Sequence, residues 1–348
     1  MSSTALNSTT VDHYALVASG NYSHAEGIDT IAFGEGSHSE GGYTITSGSY
    51  SHAEGFANDA SGEAAHAEGG NTTASGKNSH AEGYKTEANG ISSHAEGGNT
   101  IASSSYSHAE GSNTTASGSY SHAEGYNTTA SGQASHAEGS NTTASSYYAH
   151  AEGGDNTTAS GNYSHAEGYN TTASGNSAHS EGGTTIASGS YSHAEGYNTT
   201  ASGRASHTDG ENTTASGDYA HAQGYDTTAS GDSSHAEGEG TIAFGNGSHA
   251  EGGTFLIGGV TSGSSTHTLL DGTTVLINST IANGTAAHAE GAFTLAQGEG
   301  SHAEGAGTIA EGNLSHAEGN LTQAIGSYSH SEGGNTIASA NSSHAEGS

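Results

Sequence analysis

Along most of the chain, small residues alternate with polar ones for five positions, stop at a glycine and a turn pair, and start again seven residues on. Ser121-His122-Ala123-Glu124-Gly125 is followed in this way by Thr128-Thr129-Ala130-Ser131-Gly132. Alternation of period two closed by glycine predicts a short β-strand, and two such strands with two turns make one coil of fourteen residues. The histidine of the first half marks the coils. It recurs at fourteen-residue intervals from His24 to His150, resumes after one added residue near Asp155 at His165, and runs to His249. After 25 extra residues it continues from His288 to His344. A fixed period of this kind predicts an all-β, parallel β-solenoid, a thin β-roll of about 22 coils with two short strands in each, stacked as a rod.

Side chains alternate across a strand, so Ser121, Ala123 and Gly125 share one face while His122 and Glu124 share the other. Burying the second face would take about forty ionisable groups out of water at several kcal/mol each when unpaired. The small face is therefore expected inside. The phase of the repeat divides the chain into an N-terminal arm (1–15), a solenoid (16–252), a hairpin insertion (253–279) and a continued solenoid (280–348). Asp271-Gly272 between two apolar runs predicts a two-residue hairpin turn. Phe255, Leu256, Ile257, Leu269, Leu270, Val275, Leu276 and Ile277 are its candidate lateral or receptor contacts.

Composition narrows the functional classes. With 57 Gly, no Pro, Cys or Trp and 5 Phe, the 348 residues cannot fill ordinary globular cores. A formal charge of -33 repels nucleic acid and anionic membrane surfaces. No stretch has the length and apolarity to insert in a membrane, and the first twenty residues lack the pattern of a secretory signal, so export by another route or a trimmed chain is expected. Coils without caps at the two ends invite end-to-end stacking. The Asn-x-Thr and Asn-x-Ser sequons, as at Asn127, read first as turn chemistry of the repeat.

The repeated Ser-His-x-Glu string holds residue types used in hydrolases and metal sites. Ser121 and His122 point to opposite faces, however, which denies a catalytic triad, and no catalytic residue, cofactor motif or enzyme activity is expected. Stacking places His over His and Glu over Glu, and like charges ~4.8 Å apart repel by ~0.9 kcal/mol even in bulk water. Relief through protonation predicts a pH response, with neighbouring glutamates raising the histidine pKa values. Divalent cations are the other source of relief. His108, Glu110, His122, Glu124, His136 and Glu138 are candidate ligands, although ~6.8 Å between Cα atoms two apart on a strand is loose for one ion.

The outward face of the second strand is nearly uncharged, with pairs such as Thr129/Ser131 and Ile31/Phe33. It can be desolvated at little cost, and is the expected contact between protomers. Paired corner tyrosines such as Tyr191/Tyr197 are expected to cover small residues of neighbouring coils.

The [ST]-x-A-x-G-x-x half repeat resembles the head repeats of YadA-like trimeric autotransporter adhesins, and its SHAEG wording resembles repeats of phage and prophage tail-fibre or appendage proteins. The resemblance covers roughly residues 16–252 and 280–348, and lacks the lysine-rich neck, stalk and anchor of an autotransporter. It implies a left-handed roll and a homotrimer in which outward aliphatic residues meet at the axis. Ile31, Phe33, Ile101, Ile186, Ile242, Phe244, Ile309 and Ile337 are the matching positions. The expected function is that of a structural, self-assembling subunit of an extracellular or cell-surface fibre. The alternative is a trimeric adhesin or phage tail-fibre shaft that binds a cell-surface receptor or glycan.

Overall fold

The computed structural model describes residues 16–253 and 279–348, together with the backbone of two paired strands, Ser265–Thr268 and Thr274–Ile277. The chain divides into two compact units, Met1–Asn141 and Thr142–Ser348. Among the described residues of the first, nine long strands from His24–Ile28 to His136–Ser140 alternate with nine two-residue strands from Val17–Ala18 to Thr129–Ala130. The second repeats the scheme with thirteen long strands, His150–Gly153 to His344–Gly347, and thirteen short ones, Thr143–Ala144 to Ile337–Ala338. No helix occurs among the described residues. The fold is a parallel β-solenoid of about 22 coils with two strands in each.

Within each unit a strand pairs in parallel with its counterpart one coil on, like residue against like. His80 faces His94, Ala81 faces Ala95 and Glu82 faces Glu96; in the second unit His165 faces His179 and Glu167 faces Glu181. The short strands do the same, with Thr115 beside Thr129. The interior is as small as the alternation predicts. Ala123, Thr128 and Ala130 are fully buried, as is Ser121, whose hydroxyl donates to the Gly118 carbonyl at 2.6 Å and so ties the corner to the strand. Where serine replaces the strand alanine, an inward threonine answers it: Ser39 meets Thr44 at 2.8 Å, Ser180 meets Thr185 at 2.7 Å and Ser331 meets Thr336 at 2.8 Å. Each of these three serine hydroxyls is matched by a partner five residues on, whereas the Thr208 hydroxyl, at the same inward position, has none.

Each coil turns its two corners through left-handed residues, exemplified by Tyr120 (φ 61°) and Asn127 (φ 55°). Asparagine tolerates this conformation better than most residues, and at the corner its own N–H donates to the Ser112 carbonyl one coil back at 2.9 Å. Asn127 also donates from its side chain to Asn141 at 2.5 Å, so the sequon asparagine serves a side-chain ladder. The corner rings behave as covers: Tyr197 occupies the space a side chain on Gly183 would need, and Phe56 does so for Gly42.

Two glycines in each coil carry different constraints. Gly125 has φ +115°, and a Cβ there would lie 2.0 Å from the Gly139 carbonyl oxygen. The equivalent residue is glycine in every coil from Gly27 to Gly347. Gly118 has no positive φ, and although a Cβ would press on Gly132, its equivalents include Ser104, Ser146 and Ala340. Steric pressure alone is relieved by a small shift; pressure combined with a glycine-only backbone conformation is not. Gly125 itself is partly exposed, so the expected inside position belongs to the corner instead.

Insertions fall where the ladder does not need regularity. The added residue near Asp155 is taken up at the corner, with Asn156 left-handed (φ 62°), and His150 still faces His165. Across the longer insertion His249 faces His288 and Ile242 faces Ile281. Within it Ser265–Thr268 and Thr274–Ile277 pair antiparallel, Ser265 with Ile277 and Thr268 with Thr274. The expected two-residue turn at Asp271-Gly272 lies outside the described residues. Phe255, Leu256, Ile257, Leu269 and Leu270, and residues 1–15, lie outside the described residues.

Gly125→Ala is expected to destabilise its coil by about 2–4 kcal/mol, from backbone strain plus overpacking. Gly118→Ser, which copies Ser104, is expected to cost under about 1 kcal/mol. Amide hydrogen exchange through residues 120–140 distinguishes the two: protection is lost in the first variant and kept in the second.

Candidate functional site: the histidine and glutamate rows

The long strands carry the chemistry. Because each pairs in register with the next coil, their outward histidines form a column in each unit. In the first, the rings from His38 to His122 follow one another at centroid distances of 4.8–4.9 Å, with planes within 11° of parallel. In the second, His165, His179 and His193 continue the pattern at 4.7–4.8 Å. A side chain whose Cα is held at the strand spacing can meet its neighbour in only one way when both take the same rotamer, which is why identical residues produce parallel rings.

The glutamate row runs alongside. His38 Nε2 lies 3.6 Å from Glu40 Oε2, His52 3.9 Å from Glu54, His108 4.0 Å from Glu110, His122 3.8 Å from Glu124 and His136 3.9 Å from Glu138. The structure therefore brings all six candidate ligands into one row and places imidazole and carboxylate much closer than their Cα separation suggested. What sequence reasoning missed is that both side chains lean toward each other across the shared face. Most of these distances exceed a hydrogen bond, and the Nε2 atoms of His38, His52, His66 and His80 are covered without a hydrogen-bond partner. Asp209 and Gln223, which interrupt the glutamates, are adjacent, and Gln223 donates to Asp209 at 3.5 Å. The fixed cations sit elsewhere: Lys77 pairs with Glu63 at 3.0 Å, Arg204 with Asp218 at 3.5 Å, and Lys85 lies over Tyr84.

Burial, and after it the charge of the neighbouring imidazoles, holds His66, His80, His122 and His165 below the usual histidine range. The same causes in the same order act on His52, His108, His193 and His235, while the glutamates pull the other way more weakly. This reverses the expected upward shift. The carboxylates are a third to a half exposed and screened by water, whereas each ring is sandwiched between two others that would share its charge. A hydrogen bond with Glu40, followed by burial, pushes the Glu54 carboxyl up. Ser121, the nominal nucleophile of the repeated string, is buried with its hydroxyl committed to Gly118.

The candidate protomer positions stand on the other outward face. Phe33, Ile186, Phe244 and Ile337 are exposed, and Ile31, Ile101 and Ile242 partly so. Ile309 is the exception at 1 % exposure: it packs with Leu295 against Ile281 and Phe293, because large apolar residues fall in successive coils there and cover one another. It offers no free surface for a second chain.

A depressed histidine pKa means that the unfolded chain binds more protons than the folded one between the folded value and ~6.5, so stability rises with pH across that window. In buffer containing EDTA, the thermal midpoint is expected to be level above about pH 7 and to fall as pH drops below ~6.5. Glu54 and Asp59, both raised, act with the opposite sign but in the carboxylate range, at lower pH. Calorimetric scans from pH 5 to 9 check this; a midpoint that climbs on acidification through pH 6 contradicts it.

The family model of the YadA head domain repeat (2 copies) matches residues 25–51, 123–145, 153–178, 194–220, 222–248 and 289–315, together a little under half of the sequence. No curated protein sequence matches the chain. The matched segments carry the same half repeats that form the coils described above, with their small interior, glycine-closed strands and two outward faces. Over these segments the chain matches the YadA head domain repeat.

Proposed function

We propose that the protein is a self-assembling structural subunit of an extracellular or cell-surface fibre, with protomers joined through the outward face of the short strands. A structural role of the adhesin-like or fibre-like kind accords with the YadA head repeats, which are features of surface-exposed adhesins. The observation that carries the finer reading is the contrast between the two outward faces. One bears an ionisable pair in nearly every coil. The other bears threonine and serine punctuated by Phe33, Ile45, Ile186, Phe244 and Ile337, all more than a third exposed in the single chain.

Acid on that second face is confined to Asp59, Glu87 and Glu311, and burial already pushes the Asp59 carboxyl up. Removing such a face from water sacrifices little hydration while gaining contact for each apolar group, at about 25 cal/mol per Å² covered. The strands Ser265–Thr268 and Thr274–Ile277, with Val275, Leu276 and Ile277, would supply a lateral contact.

A second reading rests on the exposed corner tyrosines. Tyr106 and Tyr120 stack at 5.0 Å, and Tyr148 and Tyr163 at 5.4 Å, with more than half of most rings in solvent. Such a strip suits a trimeric adhesin or phage tail-fibre shaft that meets a receptor or glycan.

Ile186→Asp combined with Phe244→Asp is expected to convert the assembled protein to single chains by sedimentation velocity while the far-ultraviolet spectrum stays that of the parent. Electron microscopy of the unaltered protein separates the two readings: fibres formed without a ligand support the first, and discrete trimers the second. Assembly unchanged in the double variant removes this face from either.

A further inference from the structure

We propose that the histidine column is a repeated binding site for a borderline divalent ion of the zinc class, each ion shared by two successive coils. The ligands of one such site are His38 and Glu40 from one coil with His52 and Glu54 from the next. In His38, Glu40 and His52, one ligand atom from each residue lies within 4.8 Å of the others, and the same holds for His66, Glu68 and His80. The second unit offers His165, Glu167 and His179 on the same terms.

Two observations point to an ion. The first is the imidazole-to-carboxylate separation, 3.6 Å in one coil and 3.9 Å in the next. That is too long for a good hydrogen bond but within the ~4.2 Å that two ligand atoms bonded at ~2.0–2.1 Å to a common ion can span, and a closure of a few tenths of an ångström brings the pair to the ~3.4 Å of a tetrahedral site. The second is the state of the imidazole nitrogens. Nε2 of His38, His52, His66 and His80 is covered by its surroundings and has no hydrogen-bond partner in the protein, so the row holds covered ligand atoms that no protein group satisfies. Neutral imidazole is also the form that ligates metal.

The ring spacing sets the stoichiometry. Two nitrogens on one ion at ~2.0–2.1 Å are at most ~4.2 Å apart, whereas the rings repeat at 4.9 Å, so neighbouring rings must tilt toward each other. A ring that tilts toward one neighbour tilts away from the other. Ions therefore occupy alternate gaps, and each completes a set of two imidazoles and two carboxylates, a donor set that suits zinc, nickel and copper above calcium or magnesium.

The test uses the full chain without a histidine tag, stripped with EDTA and titrated with zinc chloride, bound metal being counted after equilibrium dialysis. Saturation is expected at about one ion per two coils, on the order of ten per chain. The variant His38→Gln, His66→Gln, His94→Gln and His122→Gln breaks every adjacent pair in the first unit, and is expected to lose about two fifths of the bound zinc. X-ray absorption of the zinc-loaded unaltered chain should show two imidazoles and two oxygens around each ion, and this measurement stands even if the variant does not fold. Absence of saturable uptake, an unchanged count in the folded variant, or a shell of oxygen alone would overturn the proposal.

Discussion

A coil whose inside holds only an alanine from each strand with a serine and a threonine beside them gains little from side-chain burial, so the backbone ladder between coils is the interaction on which everything else rests. Each N–H and C=O along a strand is answered one coil away, as when His122 donates to Ser135 and Thr115 to Thr128, both at 2.9 Å. That ladder tolerates no bulk at its tightest point, which is why glycine recurs at the position of Gly125 in every coil. It also makes the corners, rather than the strands, the place where sequence can vary: asparagine, tyrosine, alanine, serine and lysine all occupy left-handed corner positions, and the extra residue near Asp155 is accommodated there.

In-register stacking then dictates the surface. A parallel ladder of identical repeats sets every side chain on a copy of itself, so a polar choice made once is made as a row. Asparagines gain from this, because an amide both donates and accepts, and Asn198 donates to Asn212 at 2.7 Å. Histidine and glutamate do not gain in the same way. A row of carboxylates and a row of imidazoles each carry like charge on like, and this adds to burial, the larger cause, in lowering the histidine pKa values: the column resists charging because its rings are shielded from water and because protonating one disfavours the next. Where the glutamate row is interrupted, Asp209 and Gln223 fall in neighbouring coils and bond to each other, a local release of the same tension.

The coil was legible because its signals agree at every level. Period-two alternation, the glycine stop and the turn pair all predict the same short strands, and Ser121, Ala123, Thr128 and Ala130 lie inside as their size requires. The candidate site was legible only in its membership. Sequence places His122 and Glu124 on one face, but the approach of Nε2 to Oε2 at 3.8 Å depends on side-chain rotamers that spacing along the strand does not contain. The sign of the histidine shift was missed for a related reason. Counting neighbours by charge favours the glutamates, whereas the result turns on which groups are shielded from water, and the rings are shielded more than the carboxylates. Ile309 shows the same limit, since its alternation phase is outward yet Leu295 and the residues around it cover it.

The two outward faces can differ this sharply because they belong to strands of different length. The long strand presents both His122 and Glu124 outward within one pleat, so it must display a pair, whereas the regular short strand spans only two residues and exposes Thr129 with Ser131 at its margin. With one outward residue in the short strand itself, substitution by isoleucine disturbs no partner in the same strand, as Ile101 beside Thr115 and Ile186 beside Thr200 demonstrate. Apolar contacts can therefore be added to one face coil by coil while the other keeps an almost unbroken ionisable row. The separation of a nearly uncharged face from an ionisable one follows from the unequal strands of each coil.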